Sequence, residues 1–523
     1  MSNKASSHLF ELIKSLNKSE KRYFKLFSSR HTIGEENGYI RLFDFIERME
    51  TYQEDLIFMH FKGQALLNKF SITKARLYDN ILRSLDSFYA TASTDAQLFR
   101  LLHAADILYN KGLYKQEEKV LVSAEKKAEK HERLNLLLEI RQKQNRIVEN
   151  SLYHQIGTDE IKRLFDSEKM VIEEIGKYHE LWHTKSLLFH SLNKSGRSNQ
   201  HAESGTLGSG LGGLIARVSG MNIEKSTTQV RYLYNHIHSA YYFSTGDFES
   251  SLEFSEKNLS TLQANNDYVA DHPNIYFSLL SNHVYLATKL GRYDEARKTL
   301  QALKDHKKAT AAEENKDIEI KYFSTETSLE LYLLIEQGNY DAALQLVPKI
   351  ELAYDTFGEN ISVLRKAYID FKVAVLFVSV GQPSKALVWI NQILNETRID
   401  QNEEIYCLAR LLSLVVYYEL EKKDVLPYTI SSVRRSLKNR KHSFKAESLF
   451  IKAMGQIMRS ENIFDLEEQM LPIEQEMLSL RNDVPESAVF EYFDFSSWIR
   501  SRIEQKPLSE ILKRTRSNQV IVA

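Results

Sequence analysis

Near-copies of one short phrase recur along this chain at almost constant spacing. GDFESSL begins at Gly246, GRYDEA at Gly291, GNYDAAL at Gly338 and GQPSKAL at Gly381, so successive glycines stand 45, 47 and 43 residues apart. A period of this size marks a helical repeat array, whose units must stack to bury their apolar faces. Arrays of this kind present extended surfaces to partners, which favours a binding or adaptor role over a pocket enzyme.

One unit can be followed residue by residue around Gly291. In the preceding NHVYLATKL, Val284, Ala287, Thr288 and Leu290 recur at helical spacing, and Gly291 supplies the left-handed conformation that ends a helix. Asp294 and Glu295 follow in the first turn of the next helix, where carboxylates suit the positive end of the dipole. Tyr293, Ala296 and Leu300 then share one face, with the small Ala296 admitting the neighbouring helix. The expected product is an antiparallel helix hairpin.

On these residues the chain resembles the tetratricopeptide repeat (TPR) family. The inter-helix glycine, the aromatic two residues later and the alanine five residues later appear as Gly291, Tyr293 and Ala296, and again as Gly338, Tyr340 and Ala343. Gly246 and Phe248 keep two of the features, with Ser251 in the third place; Gly381 and Ala386 flank Pro383 where the aromatic belongs. The steps exceed the 34 residues usual in that family, so longer helices or linkers must fill the difference. The resemblance implies an all-α solenoid of antiparallel hairpins with a concave peptide-binding groove lined by the first helices. It places Tyr241, His283, Lys289, Tyr332 and Lys372 on that inner surface.

Extending the phase gives turns at Gly112, Gly157, Gly196 and, without glycine, near Lys422. The expected organisation is an N-terminal helical region over 1–95, repeats over 96–450, and capping helices with a frayed tail over 451–523. Seven of the 19 glycines lie between Gly196 and Gly220. Since each glycine costs a helix about 1 kcal/mol relative to alanine, that segment is expected to form a flexible loop inserted in the array. Proline is absent before Pro273, consistent with long uninterrupted helices.

Composition excludes several classes. The 69 Lys+Arg balance 70 Asp+Glu, leaving no global field for nucleic acid or anionic membrane. The single Cys407 permits neither an intramolecular disulfide nor a thiolate cluster and reads as a small core residue. The apolar run Leu9 to Ile13 is too short and too charged for a secretory core, and no stretch approaches a membrane span, so a cytoplasmic location is expected.

Three motifs offer alternatives. HELWH places His179 and His183 one helical turn apart with Glu180 between them, the pattern of a zinc protease. His190 lies one residue too far to be a third ligand, and Glu203, although plausibly spaced, falls in the glycine-rich segment, so these residues are expected on a helix whose apolar positions bury Trp182 and Leu187; no metal or other cofactor is expected. His236 and His238 point to different faces and read as surface histidines. A basic cluster, Arg434, Arg435, Lys438, Arg440 and Lys441, suits a solvated helix end or a contact for phosphate or an acidic peptide. Finally, FSITKARLYDNILRSLDSFY from Phe70 could serve as a DNA recognition helix, or as an ordinary amphipathic helix capped by Ser71 or Thr73. With 14 Lys+Arg against 12 Asp+Glu in residues 1–95, nucleic acid is the lesser expectation and a protein or peptide ligand the greater; the alternative is a regulator whose N-terminal helices bind DNA or a signalling protein while the repeats sense a ligand.

Overall fold

The computed structural model describes residues 7–30, 38–150, 153, 156–199, 207–309, 316–401, 403–438, 444–459, 463–481, 483, 486 and 489–522. The described elements are helices, with no strand among them. The chain divides into two compact units, Met1–Ile172 and Glu173–Ala523.

In the first unit, α1 (His8–Ser15), α2 (Lys18–Arg30), α3 (Gly38–Arg48), α4 (Glu54–His60) and α5 (Phe70–Phe88) enclose one core. Ile13, Phe24, Phe43, Ile57, Leu77 and Ile81 are fully buried there. Contrary to the expected cap, α5 starts at Phe70 with no side-chain bond at its N-cap. Thr73 Oγ1 instead donates to the Leu66 carbonyl at 3.0 Å, tying the first turn of α5 to the short 3-10 turn Ala65–Leu67 before it.

The repeating device is the turn between paired helices. α6 (Thr94–Asn110) reverses at Gly112 into α7 (Tyr114–Lys130), followed by α8 (Leu134–Asn150) and the long α9 (Thr158–Asn199), within which the unit boundary falls. In the second unit α10 (Leu207–Ser219) precedes the hairpin of α11 (Thr228–Thr245) and α12 (Phe248–Gln263), then the short α13 (Asn266–Asp271). Next come α14 (Pro273–Lys289) with α15 (Tyr293–Ala309), and α16 (Lys316–Glu336) with α17 (Tyr340–Leu344) and α18 (Val347–Phe357). α19 (Val363–Ser379) pairs with α20 (Pro383–Leu394), and α21 (Glu404–Glu419) with α22 (Leu426–Lys438).

Gly112, Gly246, Gly291, Gly338 and Gly381 all have positive φ, between 69° and 83°. Each closes the preceding helix with the same two bonds: at Gly291, the Arg292 N–H donates to the Ala287 carbonyl (2.8 Å) and the Gly291 N–H to that of Thr288 (3.1 Å). This Schellman arrangement satisfies carbonyls that a bare helix end would leave orphaned. The glycine-free turn expected near Lys422 uses the same pair of bonds, with Glu421 forced to φ 54°. Five residues past each turn the side chain is buried: Ser251, Ala296, Ala343 and Ala386 at 0% exposure and Leu426 at 2%. After Gly112 that position holds Glu117, also at 0%, which takes a 2.7 Å ion pair from Arg146.

First helices pack on first helices from α14 onward, α14 on α16, α16 on α19 and α19 on α21, while α14 meets the preceding hairpin through its second helix, α12. The chain then continues through α23 (Lys445–Ile457), α24 (Ile463–Arg481), α25 (Phe495–Ile503) and α26 (Leu508–Val522). Two expectations fail here. The last dozen residues, expected to fray, continue α26 as far as Val522, and Leu512 at their start is buried on the same face as Leu508 and Ile511. The glycine-rich segment is not a loop over its described part, since α9 passes through Gly196 and α10 occupies Leu207–Ser219. Leu211, Ile215 and Val218 drive α10 against α11, and their burial outweighs its poor helix propensity.

The left-handed turns generate a matched pair of tests. Gly381→Ala adds a Cβ that meets nothing within 4 Å, so only backbone strain opposes it, and stability should fall by about 1 kcal/mol. Glu421→Gly relieves the same strain and should raise stability by about 0.5–1 kcal/mol after allowing for the freer unfolded chain. Shifts of opposite sign in the urea midpoint check this; two shifts of the same sign would refute it.

Candidate functional site

In the second unit α14, α16 and α19 each contribute residues to one cavity. Together with residues Phe490–Asp494 and helix α26 they line a partly open space of about 690 Å³. Two sets of contacts join residues far apart in the chain. Glu491 accepts from Tyr285 Oη (2.8 Å) and Lys289 Nζ (2.7 Å). Arg516 donates to the Ile335 carbonyl (2.5 Å) and pairs with Glu336 at 3.0 Å. Tyr492 stacks on Tyr368, and the indole N–H of the buried Trp498 donates to Glu419 (2.7 Å), anchoring α25 beneath this segment.

Of the five residues expected on the inner surface, Lys289, Tyr332 and Lys372 line this one cavity. They come from α14, α16 and α19. The Tyr332 ring stacks on Tyr285 at 5.3 Å and carries Lys372 Nζ 4.9 Å from its centroid. Lys372 also donates to the Ser328 carbonyl at 3.1 Å. Burial pulls its amine down to about 8, with the more distant Glu336 acting in the opposite sense. Burial likewise pushes the Tyr332 phenol well above its ordinary value.

His283 and Tyr241 lie elsewhere. His283 is buried, bonded to Ser255 Oγ (3.1 Å) and Glu295 (2.8 Å), and burial lowers its pKa despite the carboxylate. Tyr241 packs edge-on against Tyr242 and beside Gly212 of α10. His236 and His238 are not surface histidines: His236 is stacked between Phe189 and Tyr232, and burial pulls it to about 4. His238 is 2% exposed and bonded to Ser219 Oγ and the Tyr234 carbonyl.

On α9, His179 and His183 are exposed and Glu180 pairs with Arg217 at 2.7 Å. Trp182 and Leu187 are exposed rather than buried; Leu181, Thr184 and Leu188 form the packed stripe, one position out of register with the expected one. Among the described residues no group of three or more His, Cys, Asp or Glu side chains is arranged to hold a metal ion. No described helix is long and apolar enough to cross a membrane. Arg434 and Arg435 are exposed on α22, whereas the Lys438 side chain, Arg440 and Lys441 fall outside the described residues. On α5, Lys74 is held by Glu54 at 2.8 Å and lies over the Phe70 ring rather than projecting.

No family model matches the chain, and no curated protein or solved structure matches it either.

Sequence reasoning missed Tyr285, Glu491 and Arg516, although Leu508, Ile511, Leu512 and Thr515 already had helical spacing that argued against a frayed tail. It also missed Asp370. That residue lies two positions before Lys372 on α19 and accepts from Tyr354 Oη of α18 at 2.7 Å. It is 2% exposed, and burial raises its carboxyl to about 7, against the pull of the Tyr354 bond.

An unfolded aspartate titrates near 4. Between about pH 4 and 7 the folded chain therefore retains a proton that the unfolded chain has lost, so stability falls as pH rises through this window and levels off above it. Asp370→Asn keeps an acceptor for Tyr354 without the charge. It should flatten this dependence and unfold at higher urea than wild type at pH 8; an unchanged pH profile would show that Asp370 does not carry it.

Proposed function

We propose that the second unit is a TPR-like helical repeat body whose inner wall binds an extended or helical peptide segment, making the protein a cytoplasmic, non-enzymatic adaptor or scaffold. The observation that carries this reading is convergence: Lys289, Tyr332 and Lys372, from three successive hairpins, meet at one cavity with aromatic walls. Peptide-binding grooves combine aromatic contacts with a few placed charges, and this wall offers both. The recurring turns at Gly246, Gly291, Gly338 and Gly381 support the repeat assignment, because each sets its hairpin in the same way.

Phe490–Asp494 bears on how such a ligand would enter. This aromatic and acidic run already lies against the wall, with Glu491 held by Tyr285 and Lys289. A peptide has the remaining cavity open to it, or displaces part of this run.

Selection of displayed random dodecapeptides on the full-length protein tests the reading. A recurring peptide class should emerge, and its affinity should fall at least about tenfold in Tyr332→Ala and in Tyr368→Ala, each confirmed as folded by circular dichroism. Absence of any enriched class, or binding indifferent to both substitutions, would sink the proposal.

A further inference from the structure

The charges around the cavity are paired, with one exception. Lys289 is matched by Glu491 and Arg516 by Glu336. Arg481 is matched by Asp494 (3.0 Å), and Glu249 shares Arg292 (2.6 Å) with Glu256 (3.1 Å). Lys372 alone among these cations forms no ion pair with a described residue; its contacts are the Ser328 carbonyl and the Tyr332 ring. The Tyr332 hydroxyl has no hydrogen-bond partner among the described residues, although the residue lines the cavity. Both side chains are half-buried, and the ammonium and the phenol present donors at the cavity with no anionic acceptor among the described residues within hydrogen-bond reach.

We propose that this cavity binds a small organic carboxylate with a flat apolar body, its carboxylate anchored by Lys372 and Tyr332. Two oxygens can serve the two donors at once, and a charged acceptor strengthens both bonds. Four carboxylates already stand on the lining beside four cations, so a single negative charge set at Lys372 meets less repulsion than a phosphate dianion would, which favours a carboxylate. The ring walls of Tyr285, Phe371 and Tyr492 supply the stacking surface for the body. A cavity of about 690 Å³ has room for a ligand of metabolite or short-peptide size. The inference rests on reading this wall as the binding face and names the chemistry of the group that it anchors. The same carboxylate can belong to a free aromatic acid or to the C-terminus of a peptide.

Titration calorimetry on the full-length protein distinguishes these sources. The probes are phenylacetate, N-acetylphenylalanine and tetraglycyl-phenylalanine, the last two each in acid and amide form, with benzylammonium as a control. Acids should bind at least about tenfold more tightly than amides, benzylammonium should not bind, and Lys372→Met should abolish the acid preference. Tyr332→Phe, which keeps the ring, should weaken the acids several-fold. Tight phenylacetate marks a free acid as the source, and a preference for the peptide acid marks a C-terminus. Lack of binding by every acid, or an acid preference that survives Lys372→Met, overturns the proposal. Selected peptides that bind without discriminating acid from amide would overturn the anchor while leaving the peptide-binding reading in place.

Discussion

Reversal of the chain through a left-handed residue is the constraint from which the hairpins follow. A helix can run only as far as its next permitted turn, and the two Schellman bonds at Gly112, Gly246, Gly291, Gly338 and Gly381 define that limit. With the reversal set, the residue five positions on must face the preceding helix. Its size and chemistry then decide how that hairpin closes: alanine lets the helices approach, Ser251 bonds back to the Ser239 carbonyl at 2.9 Å, and Glu117 reaches Arg146. Glu421 shows that the geometry, rather than glycine itself, is what the architecture requires, for it adopts the same conformation despite its side chain.

The same reversals bring first helices into contact with one another, and this builds the wall of the cavity. α19 illustrates the division of labour along a single helix. Asp370 and Lys372, two residues apart, project in different directions: one toward Tyr354 of α18, the other toward Tyr332 and the cavity. Both are displaced from their ordinary titration by burial, in opposite senses, because loss of water disfavours the charged form of either sign.

Much of the local structure was legible in the sequence because it depends on nearby residues. Gly291, Tyr293 and Ala296 lie within six positions, and both the turn and the buried alanine follow from backbone conformation and helical periodicity. The stripe on α9 was misread because Trp182 and Leu187 are large and apolar yet stand one position from the buried Leu181 and Leu188; residue size suggested the wrong face. α10 was misread because propensity was allowed to outweigh Leu211, Ile215 and Val218. The cavity itself was only half legible. Its wall follows from the repeat, whereas its other side comes from Glu491 and Arg516, brought back across 202 residues to Lys289 and 180 to Glu336. No local pattern encodes pairing over such separations.

Those distant ion pairs also bear on how a partly open space of this size persists in a folded chain. Protein interiors close-pack, and a cavity lined only by aromatic rings would be removed by small helix shifts that recover dispersion contacts. Lys289 with Glu491 and Arg516 with Glu336 act as struts of set length between the inner wall and the returning C-terminal segment. Collapse would have to break or compress charge-assisted bonds between groups that are mostly withdrawn from water, which opposes the packing it would recover. A chain optimised for stability alone would fill such a space with apolar side chains. This one keeps ion pairs at its edge and a lysine that forms none with the described residues, an arrangement understandable where the space itself is used.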